Sequence, residues 1–316
     1  MQTIESLKRK IQSAQDLLGV VKTMKALAAV SIRQYQKAVE SLAEYNRTVE
    51  MWLQVVLKRS RGSFAPLRAS AGKRLGVIVF GSDQGLCGQL NNLIAAHAIE
   101  GIRAQDVTKE HCIIIAVGVR VADILEDAGY RVLEVLSTPG STGGITPMVQ
   151  DITTLLEDWR FKRQIENMVL YYNEYLSGAN YRPKTLKLLP VDREWLKNLE
   201  KRKWESRTIP TFTLDWETIF RALIREYLFV SLYRAFADSL ASENASRLAA
   251  MQSAEKNIEE RLEELFGQFH RQRQSTITEE LLDIVSGFEA LGGAEQEGLQ
   301  PVKRGRPQAG RGQPIG

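Results

Sequence analysis

The residues best suited to chemistry fall in one short stretch, GSDQGLCG (81–88), where an apolar run meets a helix-length segment. Gly81, Gly85 and Gly88 at such a junction could let backbone amides cradle an anion. Yet the pattern is neither GxGxxG nor GxxxxGK followed by Ser or Thr, and no lysine follows to meet a phosphate. Cys87 could act as a nucleophile only beside a histidine base, and nothing in the sequence puts His97 or His111 there. The plainer reading, a tight strand-to-helix turn around a buried cysteine, fits the turn better. His97, His111 and His270 show no ligand spacing with acids or cysteines, so neither a metal site nor a cofactor is expected.

Charge and composition exclude further classes. With 44% hydrophobic and 25% charged residues over 316 positions, the chain reads as folded. No apolar run approaches the roughly 18–20 residues that cross a bilayer, and the N-terminus lacks the features of a secretory signal. Cys87 and Cys112 are too few for a disulfide framework. The pI near 9.0 suggests nucleic acid, but Lys303, Arg304, Arg306 and Arg311 carry +4, equal to the whole formal net charge. Residues 1–300 therefore balance to zero. A second basic run, 58–74, has one aromatic, Phe64, and reads as a linker loop rather than a nucleic-acid surface.

The elements around the turn come next. From residue 75, short apolar runs at 75–82, 112–118 and 166–178 alternate with amphipathic stretches near 86–102, 119–129 and 145–163. That alternation predicts a largely parallel sheet with crossover helices. Residues 181–191 suit an edge strand, which tolerates Pro183. Residues 192–213 carry no readable pattern.

Both flanks read as long helices. From Ile4 to Val56, sixteen positions spaced three and four apart include fourteen apolar side chains, with Lys25 and Asn46 the exceptions. A seven-residue repeat of this length is a coiled-coil seam. Thr3 is a reasonable N-cap. A second helix begins at the N-cap Asp215 and carries an apolar stripe to Phe269. Gly292 and Gly293 are read as its stop. Its middle, ASENASRLAAMQSA (241–254), is thin enough for a partner backbone to approach closely. At 1.5 Å per residue the helices are roughly 80 and 110 Å long, too long to hide a seam in a small domain. The expected fold is α/β with long helices: an antiparallel coiled coil of the two ends plus an inserted Rossmann-like α/β domain. The segments are 1–58, linker 59–74, α/β domain 75–191, connector 192–213, helix 214–292 and a disordered basic tail 293–316.

This plan resembles the gamma subunit, or central stalk, of F-type ATP synthases, and three local motifs carry the resemblance. TMKALAAVSIRQYQKA (23–38) is similar to the family's Met-Lys-x-(Val/Leu)-Ala-Ala stretch. SDQGLCGQLNN (82–92) is similar to its Ser-Asp-Arg-Gly-Leu-Cys-Gly turn, with Gln84 in place of arginine. RQRQSTITEELLDIVSGFEAL (271–291) matches its C-terminal signature through Ile277, Thr278, Glu280, Asp283 and Gly287, with Phe288 in place of alanine. Gln84, Phe288 and the basic tail mark a divergent branch, in keeping with an alternative ion-translocating ATPase.

The resemblance implies a non-catalytic rotor shaft that couples rotation of the membrane c-ring to conformational cycling of the alpha and beta subunits. The epsilon subunit is a further implied partner, and membrane contact comes only through the complex. The implied location is the cytoplasmic face of a bacterial inner membrane. By motif match, Met24, Arg247, Gln274, Thr278 and Glu280 are the expected coupling contacts to the catalytic subunits. The linker would meet the polar loops of the c-ring, and the tail beyond 293 would emerge past the catalytic ring as a dispensable extension. Two other classes remain open. An α/β enzyme with oligomerising helices predicts turnover or ligand binding by the 75–191 fragment. A coiled-coil scaffold or nucleic-acid tether predicts salt-dependent nucleic-acid binding.

Overall fold

The computed structural model describes residues 3–59, 74–105, 107–204, 208 and 210–297, with side-chain surroundings given as far as 288. The linker's interior and the tail lie outside the described residues. Two long helices, α1 (Ile4–Arg59) and α6 (Trp216–Glu297), flank an α/β region. Among the described residues no helix is long and apolar enough to cross a membrane.

The α/β region runs β1 (Leu75–Phe80), α2 (Leu90–Arg103), β2 (Cys112–Val117), α3 (Val119–Asp127), β3 (Val132–Leu136), α4 (Ile145–Arg163), β4 (Asn167–Ser177) and β5 (Asn180–Leu189). A short helix α5 (Arg193–Lys201) follows, capped by Asp192, whose carboxylate accepts from the Glu194 amide at 2.8 Å. The strand order is β3-β2-β1-β4-β5, with the first four parallel and β5 antiparallel at the edge. Pro183 sits in that edge strand opposite Asn173, where a missing N–H is tolerated. Every residue of β1 is buried, because helices cover both faces of the sheet. Ile94, Ala98, Val121 and Leu125 of α2 and α3 pack on one face. On the other, α4 joins Tyr35 of α1 and the Leu232–Ala241 stretch of α6.

The described chain divides into two compact units, one spanning Leu18–Asn257 and one built from its two ends, up to Leu17 and from Ile258 onward. Within the larger unit α1 and α6 run antiparallel. Trp216 Nε1 donates to the Val56 carbonyl at 3.0 Å, the Tyr45 hydroxyl donates to Glu226 at 2.7 Å, and Lys25 pairs with Glu255. All sixteen seam positions of α1 are buried or half-buried, Lys25 and Asn46 included. Lys25 is accommodated because its ammonium turns out to Glu255. Caps act where their residue types suggest: Thr3 Oγ1 accepts from the Ser6 amide at 3.3 Å, and Asp215 accepts from Glu217 and Thr218.

Three features depart from the sequence expectation. The strand β3 was not anticipated, since its half-buried VLEVL is too mixed to stand out. The unreadable 192–213 stretch contains α5, whose few apolar residues, Trp195, Leu196 and Leu199, still pack on α1 and α6. The third concerns α6, which does not stop at Gly292 and Gly293 but continues to Glu297. Glycine in a helix costs about 1 kcal/mol relative to alanine, which weakens the helix without terminating it.

Candidate functional site

The 81–88 turn lies at the carboxyl ends of the parallel strands, where α/β sheets commonly bind ligands. Here several of the turn's polar groups are already engaged within the protein. The Ser82 amide donates to Asn91 Oδ1 at 2.9 Å, and Asn91 Nδ2 donates to Ser82 Oγ at 2.8 Å. Asp83 accepts from the Val119 amide at 3.0 Å, from the Thr138 amide at 2.7 Å and from the Thr138 hydroxyl at 3.1 Å. The first amide of α3, the obvious anion donor, is thus capped from within the protein. Gly118, at φ 108°, leaves no space either: a Cβ there would lie 2.6 Å from the Ser82 nitrogen. The Ser82 amide and the first amide of α3 are therefore spent within the protein.

Cys87 is also enclosed. Its sulfur sits 3.4 Å from Ser82 Oγ and 3.5 Å from Asn91 Nδ2. His97 bonds Thr185 Oγ1 at 2.8 Å and His111 bonds Thr108 Oγ1 at 2.8 Å, so neither ring serves Cys87. Cys112 is buried as well, and burial pushes its thiol up to about 12. Among the described residues no group of three His, Cys, Asp or Glu side chains could hold a metal.

What the turn does instead is grip α6. Ser246 Oγ donates to the Cys87 carbonyl at 2.5 Å, and one turn earlier Ser242 Oγ donates to the Asn173 carbonyl at 3.0 Å. Phe80 and Phe236 add a ring contact with centroids 4.3 Å apart. The backbone that the thin middle of α6 admits is therefore that of this chain's own α/β region. Buried polar groups accumulate along this contact. Glu243 is raised by burial although Arg247, 2.6 Å away, pulls the other way. Asp238 is raised to about 6 by burial, and among the described residues its Oδ2 has no hydrogen-bond partner.

The five motif-derived positions are distributed rather than gathered. Met24 is half-buried on α1, beside exposed Val20, Leu27 and Val30. These form a second apolar stripe adjacent to the seam, which a search for a second heptad register would have found. Arg247 is mostly enclosed, with its side chain 12% exposed and committed to Glu243. Gln274, Thr278 and Glu280 are exposed on α6. Thr278 Oγ1 donates back to the Gln274 carbonyl at 2.8 Å, so the two share a face. At 100° per residue, Glu280 lies about 120° from Gln274 on the other side.

The end of α6 has a surface of its own. Ile277, Leu281, Leu282, Ile284, Val285 and Phe288 are all exposed, Phe288 by 76%. They occupy an arc of about 160°, within which Gln274 and Thr278 also fall. Glu279, Glu280 and Asp283 occupy the opposite arc. An apolar arc of this width normally faces a packed core.

Comparison with known proteins accords with this architecture. A family model described as ATP synthase matches residues 3–291. The gamma chain of Buchnera aphidicola subsp. Diuraphis noxia is 26% identical over 294 residues, covering 92% of this chain and 99% of its own. That of Lachnoclostridium phytofermentans is 28% identical over 299 residues, covering 92% and 100%. Among solved structures, a chain of the Euglena gracilis mitochondrial ATP synthase OSCP/F1/c-ring assembly superposes with a TM-score of 0.60 at 18% identity, covering 96% of this chain and 99% of its own. A chain of the Tetrahymena thermophila mitochondrial ATP synthase central stalk and c-ring gives 0.53 at 20% identity, covering 74% and 99%. With matched fold, full-length correspondence and a motif-bearing turn used as a structural fastening, this chain belongs to the ATP synthase family, among its gamma chains.

Proposed function

We propose that the chain is the central shaft of a rotary ATP synthase and performs no bond chemistry. It couples rotation of an ion-driven c-ring to conformational cycling of alpha and beta subunits, with an epsilon subunit bound to it and the complex at the cytoplasmic face of a bacterial inner membrane. The observation that carries this reading is the exposed apolar arc from Ile277 to Phe288. An apolar surface of that extent favours enclosure, and the acids opposite it make the helix sided. An asymmetric helix inside a ring of equivalent sites presents a different surface to each, and so biases each toward a different state.

In this reading Gln274 and Thr278 meet neighbours together with the apolar arc, and Glu280 meets a different one. Met24 acts with the Val20–Leu27–Val30 stripe. Arg247 reaches a partner only if its contact with Glu243 is exchanged. Individually such exposed contacts are weak, about 0–1 kcal/mol, which suits bonds that form and break at every step. The linker would contact polar loops of the c-ring, and the tail would be dispensable. The test is to isolate a tagged copy from its native cells and assay it for co-purifying, nucleotide-dependent ATPase activity. Isolation without that activity, or turnover by the chain alone, would refute the proposal.

A further inference from the structure

Opposite the engaged 81–88 turn, at the end of the sheet where the parallel strands begin, a cavity of about 340 Å³ opens. Ile113 and Leu133 contribute apolar wall, and Lys109, Arg131, Arg163 and Glu110 contribute charge. Lys109 is fixed, donating to the Ala128 carbonyl at 2.7 Å and lying 4.8 Å from the Tyr130 ring centroid. Arg74 lies outside the lining, its Nη1 donating to the Arg163 backbone carbonyl at 2.9 Å. The one acid, Glu110, is hydrogen-bonded to Thr108 and to its own backbone. Among the described residues, the guanidinium groups of Arg131 and Arg163 have no hydrogen-bond or ion-pair partner.

Three cations from three separate chain segments thus line the cavity against one acid, in a chain whose first 300 residues balance to zero. Like charges gathered around a concavity repel unless an anion joins them. Two uncommitted planar forks match the oxygens of a phosphoryl group. The apolar walls leave room for an organic body, and the volume lies at the small end of ligand sites, which begin at about 300 Å³. The geometry points to a binding site for a phosphoryl-bearing anion, held by Arg131 and Arg163 with Lys109 in support. The phosphoryl group comes from a soluble compound or from a phospholipid headgroup.

The site is separate from the shaft surfaces, so its test does not depend on the proposed function. Purified full-length chain is titrated with inorganic pyrophosphate at constant ionic strength, read by thermal shift and calorimetry, in parallel with the R131Q/R163Q double variant. A saturable rise in Tm is expected, with affinity falling about tenfold or more in the double variant. A tail variant, R304Q/R306Q, is expected to bind as the wild type does. A parallel arm compares phosphatidylglycerol with phosphatidylcholine vesicles. Preference for the former, lost in the double variant and without a pyrophosphate response, assigns the site to a lipid headgroup. The inference is overturned if the wild type shows neither saturable pyrophosphate binding nor that lipid preference, or if the double variant matches the wild type in both. Both arginines are exposed, so the ligand-free Tm of the double variant should be no lower than that of the wild type; single R131Q serves if it is.

Discussion

The middle and the end of α6 belong to one helix and obey opposite rules. From Ala235 to Ser246 nearly every residue is buried, and apart from Phe236 and Leu240 the side chains are small or polar. From Ile277 to Phe288 the large apolar side chains are exposed. Composition alone would invert the two, placing serines outside and leucines inside. The contrast shows that burial along this helix follows what stands beside it. The middle is committed to this chain's own sheet, and the end stands exposed.

Four experiments would break or sharpen that contrast. Placing acids on the end, with Leu282→Asp and Val285→Asp together, should weaken association with the catalytic ring roughly 100-fold or more, because unpaired carboxylates would enter an apolar enclosure. The isolated chain should keep its stability to within about 0.5 kcal/mol. Co-purification and thermal melts read the two halves of this expectation, and an unfolded chain would erase the distinction.

Substituting the middle should do the reverse. Ser246→Leu removes the bond to the Cys87 carbonyl and overfills the approach to Gly88, where a Cβ would already lie 3.3 Å from Ser246 Oγ. A loss of about 2–3 kcal/mol is expected, or a Tm lower by roughly 4–12 °C, in the chain alone.

A smaller effect, of opposite sign, is expected at Asp238. Its folded-state value near 6 lies above the ordinary 3.8, so the folded state binds its proton more tightly. The contribution is therefore fully present below about pH 4 and lost as pH rises through about 6. Asp238→Asn should stabilise the chain at pH 7.5 by about 1–3 kcal/mol and flatten the pH dependence of its Tm between pH 4 and 7. A variant less stable than the wild type at pH 7.5 would count against this account. The least effect belongs to Glu255→Gln, which loosens the partly exposed pairing with Lys25 and should cost no more than about 1 kcal/mol in a denaturant melt.

The sequence was most legible where periodicity was long. The α1 seam declared itself because sixteen regularly spaced positions agree, and Asp215 and Thr3 because capping is local chemistry. β3 stayed hidden because a half-buried edge strand alternates weakly. α5 stayed hidden because it is short and strongly charged, held by contacts to helices distant in sequence. For the site, the tight strand-to-helix turn around a buried Cys87 is legible in the sequence. Its fastening by Asn91, Asp83 and Ser246 is long-range geometry that no local pattern encodes. The motif positions Gln274, Thr278 and Glu280 were legible only through resemblance, since each alone is an ordinary exposed helical residue.

The two serine bonds of α6 have a mechanical meaning. Ser242 and Ser246 lie one turn apart and reach backbone carbonyls at two separate points, β4 and the 81–88 turn, the Ser242 hydroxyl sharing its hydrogen with the Asp238 carbonyl of its own helix at 2.8 Å. Advancing a helix by one residue would carry it about 1.5 Å along its axis and about 100° around it, breaking both bonds at once. The α/β region is therefore keyed to the helix at two points, and slip or twist between them would have to break both.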